Sequence, residues 1–129
     1  MTFERGLVIF LALFVSVAGI ASILAPASVA QQAGWSTDGA GLTEIRAFYG
    51  GLQVGLGVFL VWCARSRERL MAGLLVAGLA VGGIGAARAI GLLVDQALTQ
   101  YHLLNLGIEL ATVVLVAVAV SKHRRYSDS

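Results

Sequence analysis

Arg46, Arg88 and Glu109 lie in or at the edge of apolar stretches long enough to cross a bilayer. A charge at the centre of a membrane helix costs roughly 2.5–3.5 kcal/mol on insertion scales, so each one needs a partner or a task. The polar residues around them are regularly spaced. Arg46, Gly50, Gln53 and Gly57 recur at i, i+4, i+7 and i+11, which is one face of a helix. His102, Asn105, Glu109 and Thr112 recur at i, i+3, i+7 and i+10 on another. Arg88 shares a face with Asp95 at i+7. A guanidinium can fork onto a carboxylate or a phosphate through two parallel hydrogen bonds. Arg88 with Glu109 is the expected ion pair. Arg46 is then left for Glu44, Asp95 or the negative group of a ligand.

Other chemistries have little support. The chain carries no glycine-rich phosphate loop, no His/Cys set at metal-ligand spacing and no nucleophile elbow. Cys63 is the sole cysteine, which excludes an intramolecular disulfide and a cysteine metal site. No catalytic, cofactor-binding or metal-binding residue is expected, and no cofactor. His102 reads as a surface imidazole before it reads as a base.

The elements that must position these residues are four stretches, Gly6–Ala25, Phe48–Ala64, Leu70–Val94 and Leu103–Val120. Apolar residues make up 58% of the chain and charged residues 12%. About 20 residues of helix cross a ~30 Å hydrocarbon core. The expected fold is all-α: an integral membrane four-helix bundle filling residues 1–129 as one domain, with spans at about 6–25, 44–64, 70–94 and 103–120. The net charge of +2 is unevenly placed. Arg5 precedes span one, Arg65, Arg67 and Arg69 separate spans two and three, and Lys122, Arg124 and Arg125 follow span four. Residues 26–43 and 95–102 hold no Lys or Arg. Positive flanks stay inside, so both termini are expected in the cytoplasm of a bacterium, across its inner membrane. Basic residues placed this way do not form a nucleic-acid patch. Span one is read as an uncleaved helix. The small-x-small sequence Ser28-Val29-Ala30 leaves a cleaved signal peptide as the alternative.

Small residues mark the packing faces. Gly50 and Gly57 on span two, and Gly78, Gly82 and Ala86 on span three, are expected to seat neighbouring helices. Gly51 with Gly55 forms a second ridge, and Gly19 with Ser22 a face of span one. Pro26 ends span one, Thr43 is the expected N-cap of span two, and Glu44 its dipole-favouring carboxylate. Trp35 reads as an interfacial residue or as part of a lid formed by Ala27–Leu42. Tyr49 and Tyr101 read as interfacial aromatics.

Under this topology Arg46, Gln53, Arg88, Asn105 and Glu109 all fall in the outer halves of their spans. They outline an outward-facing polar pocket. Two readings stay open. The cluster either fixes helix register as interhelical polar contacts, or holds a ligand, a lipid headgroup or a partner. The expected partners are membrane lipid, another membrane protein or a second copy of this chain, with no nucleic acid.

Glu44-Ile45-Arg46-Ala47-Phe48-Tyr49-Gly50-Gly51 with Gly57, the run Arg88-Ala89-Ile90-Gly91 and Glu109-Leu110 together resemble a bacterial family of small four-span membrane proteins, the domain of unknown function numbered 4345. The resemblance covers nearly the whole chain. It implies a four-helix membrane bundle and no known activity. In size and layout the chain is also similar to DoxX-like proteins, a likeness of fold that transfers no function.

The function these features favour is binding: an accessory membrane protein for an anionic lipid, a small amphiphile or a partner helix. The alternatives are a membrane-embedded enzyme acting on a lipid-soluble substrate, or a subunit of an oligomeric transporter. The topology is directly testable. Alkaline phosphatase fused after Ser129 should be inactive, and fused within residues 33–41 active. The reverse pattern contradicts cytoplasmic termini.

Overall fold

The computed structural model describes residues 2–96 and 98–127. The order is α1 (Phe3–Leu24), α2 (Pro26–Ala33), α3 (Gly39–Glu44), a π-helical stretch (Ile45–Gly51), α4 (Leu52–Ala64), α5 (Arg67–Asp95) and α6 (Gln100–Ser127). No strand forms among the described residues. Four helical segments are long and apolar enough to cross a membrane: Phe3–Leu24, Gly39–Ala64, Arg67–Asp95 and Gln100–Arg125. At most a third of each apolar window is buried. Large apolar side chains such as Leu79 and Leu93 are 76% and 80% exposed. Surface of that kind needs hydrocarbon around it. The chain is therefore an all-helical, multi-pass membrane protein.

Each helix outruns the apolar stretch that announces it, because hydropathy marks hydrocarbon and not helix ends. Pro26 follows the break at Ala25 (φ −131°, ψ 56°) and occupies the first turn of α2, where its missing N–H costs nothing. Gly34 (φ 75°) closes α2 in the left-handed region, and the Trp35 N–H reaches back to the Ala30 carbonyl at 2.8 Å. The segment between spans one and two is thus largely helical.

Span two begins earlier than expected. Asp38, not Thr43, is the cap: its Oδ1 accepts from the Gly41 N–H at 2.9 Å. Thr43 lies within the helix and donates its hydroxyl to the Gly39 carbonyl at 3.0 Å. Glu44 is likewise interior to the helical segment Gly39–Ala64 and is not a helix-start carboxylate. The π stretch ends on Gly50-Gly51, the two residues with least intrinsic preference for α-helix in this region.

Span three starts at Arg67, so Arg67 and Arg69 stand on the first turn of α5 and not in a connection. At its far end Gln96 takes φ 52°, a left-handed cap made without glycine. Span four starts at Gln100, where the Thr99 hydroxyl accepts from the His102 N–H at 3.3 Å. The 29 residues of α5 reach about 43 Å at 1.5 Å per residue, longer than the hydrocarbon core.

The chain forms two compact units, Met1–Val8 with Cys63–Ser129, and Ile9–Trp62. In the first, α5 and α6 run antiparallel in close contact. A β-carbon built on Gly78 would stand 2.9 Å from Val116 Cγ1, and one on Gly82 would be 3.6 Å from Val113 Cγ2. The next step of this ridge is Gly85, which faces Glu109 at 3.3 Å, and not Ala86, which is exposed. A three-residue step keeps the row on the α6 side where a further four-residue step rotates away. Leu70, Leu74 and Cys63 are fully buried nearby, and a Gly73 β-carbon would be 2.9 Å from Cys63 Cβ.

In the second unit α1 lies along the π stretch and α4. A β-carbon on Gly19 would approach the Gly50 carbonyl oxygen to 2.8 Å and the Val54 nitrogen to 2.9 Å, so the two backbones nearly touch. Gly50 faces Ile23, and Gly57 faces Ser16 and the Ala12 carbonyl. Ser22 is buried but turns its hydroxyl to the Ala18 carbonyl of its own helix at 2.9 Å. Among the described residues Gly51 and Gly55 seat no neighbouring helix: Gly55 has nothing within 4 Å, and Gly51 only the Arg46 carbonyl of its own chain segment. The Trp35 ring rests on Tyr49, centroids 5.3 Å apart, beside the π stretch.

These two kinds of glycine predict opposite outcomes. Gly57→Ala drives a methyl into Ser16 and to 3.0 Å from the Ala12 carbonyl oxygen, and should cost about 1–3 kcal/mol as overpacking. Gly55→Ala meets nothing within 4 Å, and should gain up to about 1 kcal/mol from helix propensity. Reversible unfolding in mixed micelles measures both. Equal effects would contradict the packing of α1 on α4.

Candidate functional site

Arg88 and Glu109 meet across the α5–α6 contact. The guanidinium grips the carboxylate with two nitrogens: Nη2 donates to Oε1 at 2.8 Å, and Nε lies 3.0 and 3.1 Å from Oε1 and Oε2. The geometry is the planar fork that arginine makes and lysine cannot. The side chains are 22% and 11% exposed, so the pair is largely withdrawn from solvent.

Both helices are shaped for it. Gly85 lies one turn before Arg88, and its absent side chain leaves room for the Glu109 carboxylate, whose Oε2 would be 3.4 Å from a β-carbon there. Thr99 caps α6 and so fixes the turn that carries His102. His102 Nδ1 stands 3.3 Å from Arg88 Nη1. For Arg88 to donate to this nitrogen, the imidazole must carry its proton on Nε2. The Tyr101 ring meets the imidazole edge-on, centroids 5.4 Å apart.

An open groove of about 310 Å³ runs beside the pair. Ile84, Ala87 and Leu92 give it apolar walls; Arg88, Asp95 and His102 give it polar ones. Asp95 is the last residue of α5 and His102 stands in the first turn of α6, so the polar side chains gather toward the α5–α6 turn.

The other expected site residues have different surroundings. Asn105 donates its side-chain amide to the Tyr101 carbonyl of its own helix at 2.8 Å. Thr112 does the same with its hydroxyl to the Ile108 carbonyl, also at 2.8 Å. In the second unit, Arg46 donates from Nε to the Ile23 carbonyl at 3.2 Å. This carbonyl belongs to the last turn of α1, which has no intrahelical donors left and whose dipole favours a cation. Arg46 is thus engaged as a cap of α1, and it stands two turns inside its own helix, away from the N-terminal dipole. Gln53 sits against Gly19, its Oε1 buried with no hydrogen-bond partner.

Two members of the cluster are not among the expected site residues. His102 was on the right stripe, at i−7 from Glu109, but its tie to Arg88 depends on the α5–α6 turn. Gly85 was legible only as Arg88 minus three. Among the described residues no group of three His, Cys, Asp or Glu side chains could hold a metal ion.

No curated protein and no solved structure matches the chain. The family model described as Domain of unknown function (DUF4345) matches residues 3–120. Arg46, Arg88, His102 and Glu109 all fall inside that match, and the chain belongs to this family.

Proposed function

We propose that this is a small accessory protein of the bacterial cytoplasmic membrane, with both termini in the cytoplasm, that binds an amphiphile with an anionic head in the groove beside Arg88. The observation that carries the reading is the composition of that groove. Apolar walls lead along α5 to a polar end bearing a guanidinium and an imidazole. An alkyl chain and an anion need those two environments in that order. The orientation rests on the basic residues at Arg65–Arg69 and Lys122–Arg125, which set the Arg88 end outside.

Catalysis by Glu109 is the weaker reading. A carboxylate held on both oxygens by Arg88 is committed to a charge-assisted fork and would have to leave it to reach a substrate. A binding role asks nothing of Glu109 beyond aiming the guanidinium.

Asp95 provides the test, since it lines the groove with the wrong charge for an anion and is exposed at a helix end. Titration of the full chain in nanodiscs with dodecyl phosphate should show binding. Asp95→Asn should tighten it about fivefold, the effect of removing roughly 1 kcal/mol of repulsion near a surface. His102→Ala should weaken it. Identical affinity in the wild type and both variants would sink the reading.

A further inference from the structure

The first unit carries a second charged cavity at the opposite end of the α5–α6 pair. Its volume is about 550 Å³, and α1, α5 and α6 all contribute. Counted along α5 from Arg88 to Glu68, it is about 30 Å from the first groove at 1.5 Å per residue. The two sites are therefore separated by about one hydrocarbon thickness.

We propose that this cavity holds a phospholipid headgroup of the phosphoethanolamine type, with its primary ammonium on Glu4 and its phosphate between Arg67 and Lys122. The charges are graded by depth. Glu4 is only 6% exposed and forms the floor. Arg67, Glu68 and Lys122 are exposed at the mouth, and His123 is half-buried between these levels. Glu4 is hydrogen-bonded to Thr2 and lies in the field of His123 and Lys122, so a further cation that reaches it must be compact and donate hydrogen bonds. A primary ammonium does this, and a trimethylammonium cannot. The mouth suits the phosphate. Arg67 opens α5, and Ser66 makes no side-chain cap, so the positive end of the helix dipole adds to the Arg67 charge. Lys122 is held in place over the Phe3 ring, 4.9 Å from its centroid.

A second feature argues for a lipid over a soluble headgroup. A shallow groove of about 390 Å³ runs along α6 past Val114, Ala117 and Val118 to Lys122 and Arg125. Lys122 lines both the groove and the charged cavity. An acyl chain lying on the valines would enter where its phosphate meets Lys122.

Native mass spectrometry of the full chain decides the matter. The protein is exchanged in detergent against an equimolar mixture of phosphatidylethanolamine, phosphatidylcholine and phosphatidylglycerol with identical acyl chains. Phosphatidylethanolamine should be retained about tenfold over phosphatidylcholine. Glu4→Gln should erase that preference. Glu68→Gln removes an exposed carboxylate that does not hold the ammonium and should leave the ratio unchanged, with circular dichroism checking that both variants are folded. Lys122→Gln should lower retention of phosphatidylethanolamine and phosphatidylglycerol together. Equal retention of the ethanolamine and choline lipids by the wild type would overturn the proposal, as would an unchanged ratio in folded Glu4→Gln. Excess soluble phosphoethanolamine should fail to displace the lipid. Displacement would assign the cavity to the free headgroup and overturn the lipid.

Discussion

Placing a guanidinium and a carboxylate in hydrocarbon is tolerable only if they neutralise one another, and this constraint shapes the α5–α6 half of the molecule. Arg88 and Glu109 satisfy it by a forked contact at 2.8–3.1 Å. For the fork to close, the helices must come near enough for the carboxylate to fit against α5. Gly78, Gly82 and Gly85 permit that approach, and the row ends directly at Glu109. The close packing and the ion pair are two parts of one arrangement. Replacing Gly85 with a larger residue would push on the carboxylate and not merely on a neighbouring side chain.

The α1–α4 region solves a different problem with similar means. Gly19 and Gly50 bring two backbones almost into contact, and Gly57 admits Ser16. Arg46 then closes the end of α1 by donating to the Ile23 carbonyl. Its charge is used where a helix terminus already concentrates negative potential. The π stretch Ile45–Gly51 carries Arg46, Tyr49 and Gly50 together, so its wider turn sets the register in which these three meet Ile23 and Trp35. π-Helical turns are uncommon and frequently accompany functional sites. Here the visible consequence is the docking of α1 and of the short helices that precede it.

Much of this was legible in the residues themselves. Four apolar stretches announced four spans, the stripe His102, Asn105, Glu109 and Thr112 announced a polar face, and Arg88 was the expected partner of Glu109. Helix ends were not legible in the same way. Asp38 and Thr99 cap helices that begin outside the apolar runs, where hydropathy carries no signal. The face of span two was read with 3.6 residues per turn throughout, and a π stretch does not obey that period. The role of His102 depended on a turn closed by Gln96 in a left-handed conformation, which nothing in a glutamine suggests. The mixed-charge cavity around Glu4 joins three segments distant in sequence, and no spacing rule links them.

The central claim is that Arg88 and Glu109 stabilise the fold as a mutually neutralising pair. Thermal unfolding of Glu109→Ala, Arg88→Leu and the double variant tests it most directly. Losing one partner of a buried pair costs about 3–5 kcal/mol in soluble proteins because the other is left uncompensated. The account predicts that Glu109→Ala alone is less stable than Glu109→Ala with Arg88→Leu. Losses that simply add would contradict it.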